Sequence, residues 1–210
     1  MSKQTKNVLI IKSSPALDAS VSNEIADYLV AQLKSKEEHY EFTIRDLAKM
    51  PPPLYDPEIM QAFYTPADQL DEKQKTITEP SLEYIAELNR ADIIVFASPM
   101  HNFSITTLLK AYVDQICRMG LTFQYSEAGP EGLINGKQAI IISSAGGDFQ
   151  NESEKHKDFQ TPYLKHVLNF IGIEDITVIP VQGVGMGDDI ASKSMLRAKE
   201  ELQNLADLRL

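Results

Sequence analysis

The sequence has a single cysteine, no cluster of lysine and arginine, and no apolar run near the ~18 residues of a membrane-spanning helix. One thiol excludes an internal disulfide, and Cys117 alone cannot build a thiolate zinc site. Against 30 acidic residues stand 20 basic ones, a formal charge of −10. So acidic a surface repels a phosphate backbone unless it carries a local basic stripe, and none is present. Neither nucleic acid nor an anionic membrane is therefore an expected partner. The polar segment from Met1 to Asn7 leads into an apolar stretch that ends at Lys12. That stretch is too short for the core of a signal peptide, so a cytoplasmic protein is expected. The patterns G-x-G-x-x-G, G-x-x-x-x-G-K-[ST] and G-x-S-x-G are also missing. Their absence weighs against a dinucleotide Rossmann site, a nucleotide P-loop and a hydrolase elbow.

What is present is material for a core. Hydrophobic residues make up 43% of the 210. Surface scaling for this size gives ~9,800 Å² folded against ~34,000 Å² unfolded, so about 70% of the surface can be buried. Four short, nearly continuous apolar runs, Val8–Lys12, Ile93–Ser98, Ala139–Ser143 and Ile176–Val181, suit strands buried on both faces. A fifth run, Tyr40–Leu47, sets Phe42 and Ile44 in alternation with Glu41, Thr43 and Arg45, as an edge strand does.

Between the runs the period becomes helical. Ile105, Leu108, Leu109, Tyr112, Val113 and Ile116 form one stripe, and Cys117 falls on it as a structural thiol. Ile25, Tyr28, Leu29 and Leu33 form a second, Tyr163 to Ile171 a third, and Ala191 to Leu205 a fourth. Ala67–Asn89 reads as a polar helix broken at Pro80, and Pro51–Pro53 as an extended surface segment. Strands alternating with amphipathic helices predict an α/β, flavodoxin-like three-layer sandwich. Its sheet has five parallel strands in the order 2-1-3-4-5, with helices on both faces. With no linker or repeat to divide the chain, residues 1–210 read as one domain.

In such sheets ligands bind beyond the C-terminal strand ends, where the strand order reverses. Three loops lie there. Ser13 to Ser22 is rich in hydroxyls and enters a helix, an anion site that needs no lysine or arginine. Taken alone, the same residues read first as an N-cap by Ser20 or Ser22. Ser98 to Ser104 offers an Asn and an aromatic to a flat heteroaromatic ligand. Ser144 to Gly147 ends in two glycines, which allow positive φ and close backbone approach. Each of the last two could also be a plain turn. Flavin mononucleotide (FMN) fits the three together, with phosphate on the first loop and the isoalloxazine ring between the others.

The segments Lys12–Ser14 with Ser20–Ser22, Ser98–Phe103 and Ser144–Gly147 resemble the flavin-binding motifs of FMN-dependent NADH azoreductases. These enzymes are also described as FMN-dependent NADH:quinone oxidoreductases. Gly120–Phe123, Gly129–Leu133, Thr161–Leu164 and Phe170–Ile173 extend the resemblance over essentially the whole chain. It implies one FMN per subunit, NADH or NADPH as donor, and a homodimer with active sites at the subunit interface. It assigns Ser14, Ser20, Val21 and Ser22 to the phosphate. Met100, His101, Asn102, Phe103, Ser144, Ala145, Gly146 and Gly147 go to the ring and ribityl chain. His101 stands where Tyr or Trp is frequent, and Ala145 where Arg is sometimes found.

The implied reaction is two-electron ping-pong hydride transfer through FMN to a quinone or an azo compound. It requires no protein nucleophile, no catalytic side chain and no metal. Phe103, Phe123 and Phe170 are candidates for the pocket wall, with a core role as the plain alternative. His156 and His166 read as surface residues. The competing function is a flavodoxin-type FMN electron carrier. Against it, Leu47–Asn89 and Met119–Gly136 are long for plain connections and suit a covered pocket.

Overall fold

A computed structural model describes residues 5–36, 39–208 and 210. Strands β1 (Lys6–Lys12), β2 (Tyr40–Asp46) and β3 (Ile93–Pro99) alternate with helices α1 (Val21–Lys34), α2 (Pro57–Tyr64) and α3 (Glu72–Arg90). Helix α4 (Thr107–Ile116) is followed by a hairpin of β4 (Phe123–Ser126) and β5 (Gly129–Gly132). Then come β6 (Gln138–Ser144), α5 (Thr161–Phe170), β7 (Asp175–Val181) and α6 (Asp188–Leu208). The main sheet is parallel, in the order β2-β1-β3-β6-β7. This is the expected 2-1-3-4-5 order, with the last two numbers displaced by the hairpin, which periodicity did not reveal.

Alternation along the central strands divides the core in two. Leu9, Ile11, Ile94, Phe96, Ala139 and Ile141 face α3, α4 and α5. Val8, Ile10, Val95, Ala97, Ile140 and Ile142 face α1 and α6. Each fully buried Leu or Ile contributes about 1.5–3 kcal/mol relative to exposure, so the apolar strand runs dominate the fold's stability.

Two expectations need correction. Helix α3 runs through Pro80 without a break. Buried side chains hold it across the proline, with Ser81 Oγ donating to the Gln115 carbonyl of α4 and Thr78 Oγ1 donating within the helix to the Lys75 carbonyl. These contacts outweigh one missing N–H. Strand β2 lies at the sheet edge as expected, yet Ile44 is exposed and Arg45 is buried. Arg45 lies against Glu87 and Glu83, whose hydrogen bonds and charges raise its pKa and keep it charged. Pro51–Pro53 is non-helical, but the expected surface segment is only partly one, since Pro52 is buried. The segment that follows holds α2, which sequence reasoning missed although Asp56-Pro57 marks its start, an N-cap followed by a proline in the first turn.

Candidate active site

The C-terminal ends of β1, β3 and β6 bring the three loops together. Ser13 donates from both its N–H and its Oγ to the Ala97 carbonyl of β3, at 3.1 and 2.9 Å. Thr106, the N-cap of α4, donates to the Ser13 carbonyl at 3.0 Å. The Met100 N–H donates to the Ser144 carbonyl at 2.7 Å.

At the first loop Ser20 is the N-cap of α1, its Oγ accepting from the Asn23 N–H at 3.3 Å and lying 3.1 Å from Ser22 Oγ. Ser14, Ser20 and Ser22 are all buried. Ser22 turns its hydroxyl inward, which leaves its N–H as the group it can offer outward. The N–H groups of Val21 and Ser22 begin the helix and have no carbonyl partner within it. Lys12, the nearest cation in sequence, is committed to Asp27 at 2.7 Å. An anion held here meets amide dipoles and hydroxyls rather than formal positive charge.

The second loop is a two-residue β-turn. His101 and Ser104 exchange both backbone hydrogen bonds, at 2.8 and 3.1 Å, around Asn102 and Phe103. These two residues have φ of 48° and 70°. Positive φ at both centres makes a type I′ turn, which Asn tolerates and Phe does not favour. The left-handed conformation costs a residue like Phe about 1–2 kcal/mol. Positive φ was expected at the glycines of the third loop, and there the structure differs: neither Gly146 nor Gly147 is left-handed. Gly146 instead faces open space, since a Cβ built on it meets no atom within 4 Å. The loop is clasped from behind, with Val184, Gly185 and Gly183 donating to the carbonyls of Ala145, Gly146 and Gly147. Ala145 is buried, and its N–H is taken by the Val181 carbonyl.

Among the described residues, the N–H groups of Asn102, Phe103, Gly146 and Gly147 make no hydrogen bond. Two neighbouring loops thus offer four backbone donors, on an exposed turn and around an open-faced glycine. This donor set fits a flat ligand bordered by acceptor atoms, and the helix start beside it fits that ligand's phosphate.

Sequence reasoning missed the segment that packs on the second loop. The rings of Phe149 and Phe103 meet edge to face at 6.1 Å, and the Phe159 N–H donates to the Phe103 carbonyl at 2.9 Å. Nothing periodic marks these residues, because the segment that carries them is irregular. Phe123 and Phe170 do pack together, at 4.5 Å between centroids, but far from the loops of the same chain. Helix α5 starts beside β6, where Thr161 Oγ1 lies 3.3 Å from Ser143 Oγ. It then runs ten residues, about 15 Å, to Phe170 at the opposite, N-terminal end of the strands. There the Ile134 N–H donates to the Ile171 carbonyl, just ahead of β6.

The histidines His156 and His166 are exposed. Burial pushes the Cys117 thiol up to about 11, which removes it as a nucleophile at neutral pH. Labelling by a disulfide reagent at pH 8 is expected to be about 100-fold slower in the native protein than in the unfolded one. Equal rates would show that Cys117 is accessible and ionised. Among the described residues no group of three or more His, Cys, Asp or Glu could hold a metal ion. Nor is any helix there long and apolar enough to cross a membrane.

Residues 6–206 match the family model described as flavodoxin-like fold. An FMN-dependent NADH:quinone oxidoreductase of Azotobacter vinelandii is 39% identical over 95% of this chain and 98% of its own length. One of Yersinia enterocolitica is 44% identical over 93% and 96%. The solved FMN-dependent NADH-azoreductase of Bacillus anthracis, in complex with FMN, superimposes with a TM-score of 0.85 at 28% identity, covering 96% of this chain and 98% of that one. The chain belongs to the flavodoxin-like fold family and, within it, to the family of the FMN-dependent NADH:quinone oxidoreductases.

Proposed function

We propose that the protein is an FMN-dependent oxidoreductase that uses NADH or NADPH to reduce quinones, and azo compounds by reductive cleavage. The observation that carries this reading is the set of four unpartnered backbone N–H groups on two neighbouring loops, beside the start of α1. FMN held there by these groups would supply the two-electron redox chemistry that links a nicotinamide donor to the acceptor.

In this reading the chain's own work is binding and orientation. The N–H groups of Val21 and Ser22, with the hydroxyls of Ser14 and Ser20, hold the phosphate. Met100, His101, Asn102 and Phe103 form one wall of the ring site, and Ser144, Gly146 and Gly147 the other. Ala145 supports its loop from within rather than touching the ring. Amide donors paired with acceptor atoms of a bound ring would stabilise negative charge that develops on it during reduction. The long segments that carry α2 and the hairpin favour a reductase with a covered pocket over an electron carrier with an exposed flavin edge.

The protein acts as a homodimer in this account. Phe123 and Phe170 can line a ring site only if it belongs to a second copy. Support comes from an apolar surface beside them. Gln115 Nε2 donates to the Pro53 carbonyl at 3.1 Å, and Arg118 stacks 3.6 Å from the Phe63 ring. These contacts set exposed Leu54, Tyr55 and Tyr64 next to exposed Met119, Leu121 and Tyr125. Sedimentation at working concentration is expected to give twice 23.5 kDa. A fully active monomer would refute this part. We read residues 1–210 as one domain of a cytoplasmic enzyme.

Titration with FMN, followed by quenching of its fluorescence, tests the cofactor directly, and one-to-one binding is expected. Ser20→Ala separates the two roles of that residue. Loss of the cap alone costs about 1 kcal/mol of stability. Loss of a phosphate contact as well weakens FMN about tenfold, or ~1.4 kcal/mol. A stability change with unaltered FMN affinity would reduce Ser20 to a cap.

A further inference from the structure

We propose that Gln160 is a positioning residue for the flavin site, fixing the second loop through a buried side-chain bridge; this rests on the FMN reading above. Gln160 is fully buried and lies immediately before α5. Its Nε2 donates to the Ser98 carbonyl at 2.7 Å and lies 2.9 Å from Ser98 Oγ. Its Oε1 accepts from Ser143 Oγ at 2.9 Å. Ser98 and Ser143 face each other across the β3–β6 ladder, one or two residues before the loops begin, and both are buried. One amide therefore ties together the two strands that carry the ring loops.

The same residue transmits that anchorage outward. Asp158 Oδ1 accepts from the N–H groups of Gln160 and Thr161, which stiffens the approach to α5. Phe159, adjacent to Gln160, donates its N–H to the Phe103 carbonyl. Ser104 Oγ adds a longer bond to the Phe159 carbonyl at 3.4 Å. Phe103 is the residue held at φ 70° in the type I′ turn. A strained conformation persists only where its surroundings over-determine it. Here the surroundings are Phe159, held by Gln160, and Phe149, whose N–H donates to the buried Gln182 at 3.1 Å while Gln182 donates to the Ser143 carbonyl. Both ends of the irregular segment 147–160 thus converge on Ser143. The strand ladder fixes β3 and β6, but it stops before the turn that presents the N–H groups of Asn102 and Phe103.

The test uses Gln160→Leu, which keeps approximate volume and removes every hydrogen bond of the bridge. FMN affinity is expected to fall about tenfold as the amide donors of the second loop lose their aim. The visible circular dichroism of the bound flavin is expected to change with it. Ser81→Ala serves as the control, since it also deletes buried hydrogen bonds, to the Gln115 carbonyl and Arg118, but on α3. It is expected to lower apoprotein stability without altering FMN affinity or the dichroism. Ser143→Ala deletes one hydroxyl of the bridge and keeps the test open should Gln160→Leu not fold, with an expected loss of about threefold. Unchanged affinity and dichroism in the bridge variants would overturn the proposal, as would an equal loss in Ser81→Ala. Failure of the unaltered protein to bind FMN would overturn the cofactor reading and this proposal together. Binding by the unaltered protein and equally by the bridge variants would overturn this proposal alone.

Discussion

Valine at position 146 is expected to leave the apoprotein folded and to weaken FMN binding by about 100-fold, or ~2.7 kcal/mol. Glycine is not needed there by the chain itself. Its φ lies outside the left-handed region, and an added Cβ meets no protein atom within 4 Å. A Cβ there therefore meets no atom of the apoprotein and stands in the open space that Gly146 faces. In the FMN reading that space belongs to the isoalloxazine ring, so the added methyl groups clash with the ligand alone. Urea denaturation of the apoprotein and fluorescence titration with FMN separate the two effects. An unaltered dissociation constant would remove the third loop from the flavin site.

Gly132→Ala is expected to do the reverse. A Cβ at Gly132 would lie 2.1 Å from the Gly172 nitrogen and 2.4 Å from its Cα. Both contacts are with backbone, which cannot rotate away, and Gly172 is itself held at φ 104°. Residue 132 pairs with Phe123 across the hairpin, so relief of the clash must lift β5 away from the end of α5. A loss of about 3 kcal/mol or more is expected, a fall in Tm of roughly 10 °C for a chain of this length. Phe123 would lose its seat against Phe170 as well. A melting temperature within about 2 °C of the unaltered protein would contradict this packing.

Much of this architecture was legible because buried parallel strands announce themselves. Four Ile- and Val-rich runs located β1, β3, β6 and β7 to within two residues at either end, although β7 lies at the sheet edge and is only partly buried, and helical stripes filled the gaps. From there the switch-point rule pointed to three loops that the structure brings together at the C-terminal strand ends. What stayed hidden depends on contacts distant in sequence. The hairpin Phe123–Gly132 has only four residues per strand and a proline in one of them, too little for periodicity to register. Pro80 was read by local rules, which Ser81 overrides through its buried hydrogen bond to the distant Gln115 carbonyl. The positive φ angles fell on Asn102 and Phe103 because the bridge between His101 and Ser104 demands them, whereas glycine propensity pointed to Gly146 and Gly147. Gln160 gave no signal, since nothing local distinguishes a buried bridging glutamine from a solvated one.

Net charge told less than the arrangement of dipoles. At −10 the protein is a poor host for polyanions. A single phosphate is a different case, because hydroxyls and the unsatisfied amides of a helix N-terminus can hold one without a cationic side chain.

The central claim is that this site binds FMN and uses it to carry electrons from a nicotinamide to a quinone. Stopped-flow absorbance of the FMN-loaded protein under anaerobic conditions tests it most directly. The account predicts rapid bleaching at about 450 nm on mixing with NADH or NADPH, and full recovery on subsequent mixing with benzoquinone. A protein that retains no yellow cofactor, or whose bound FMN is reduced by neither nucleotide, would contradict it.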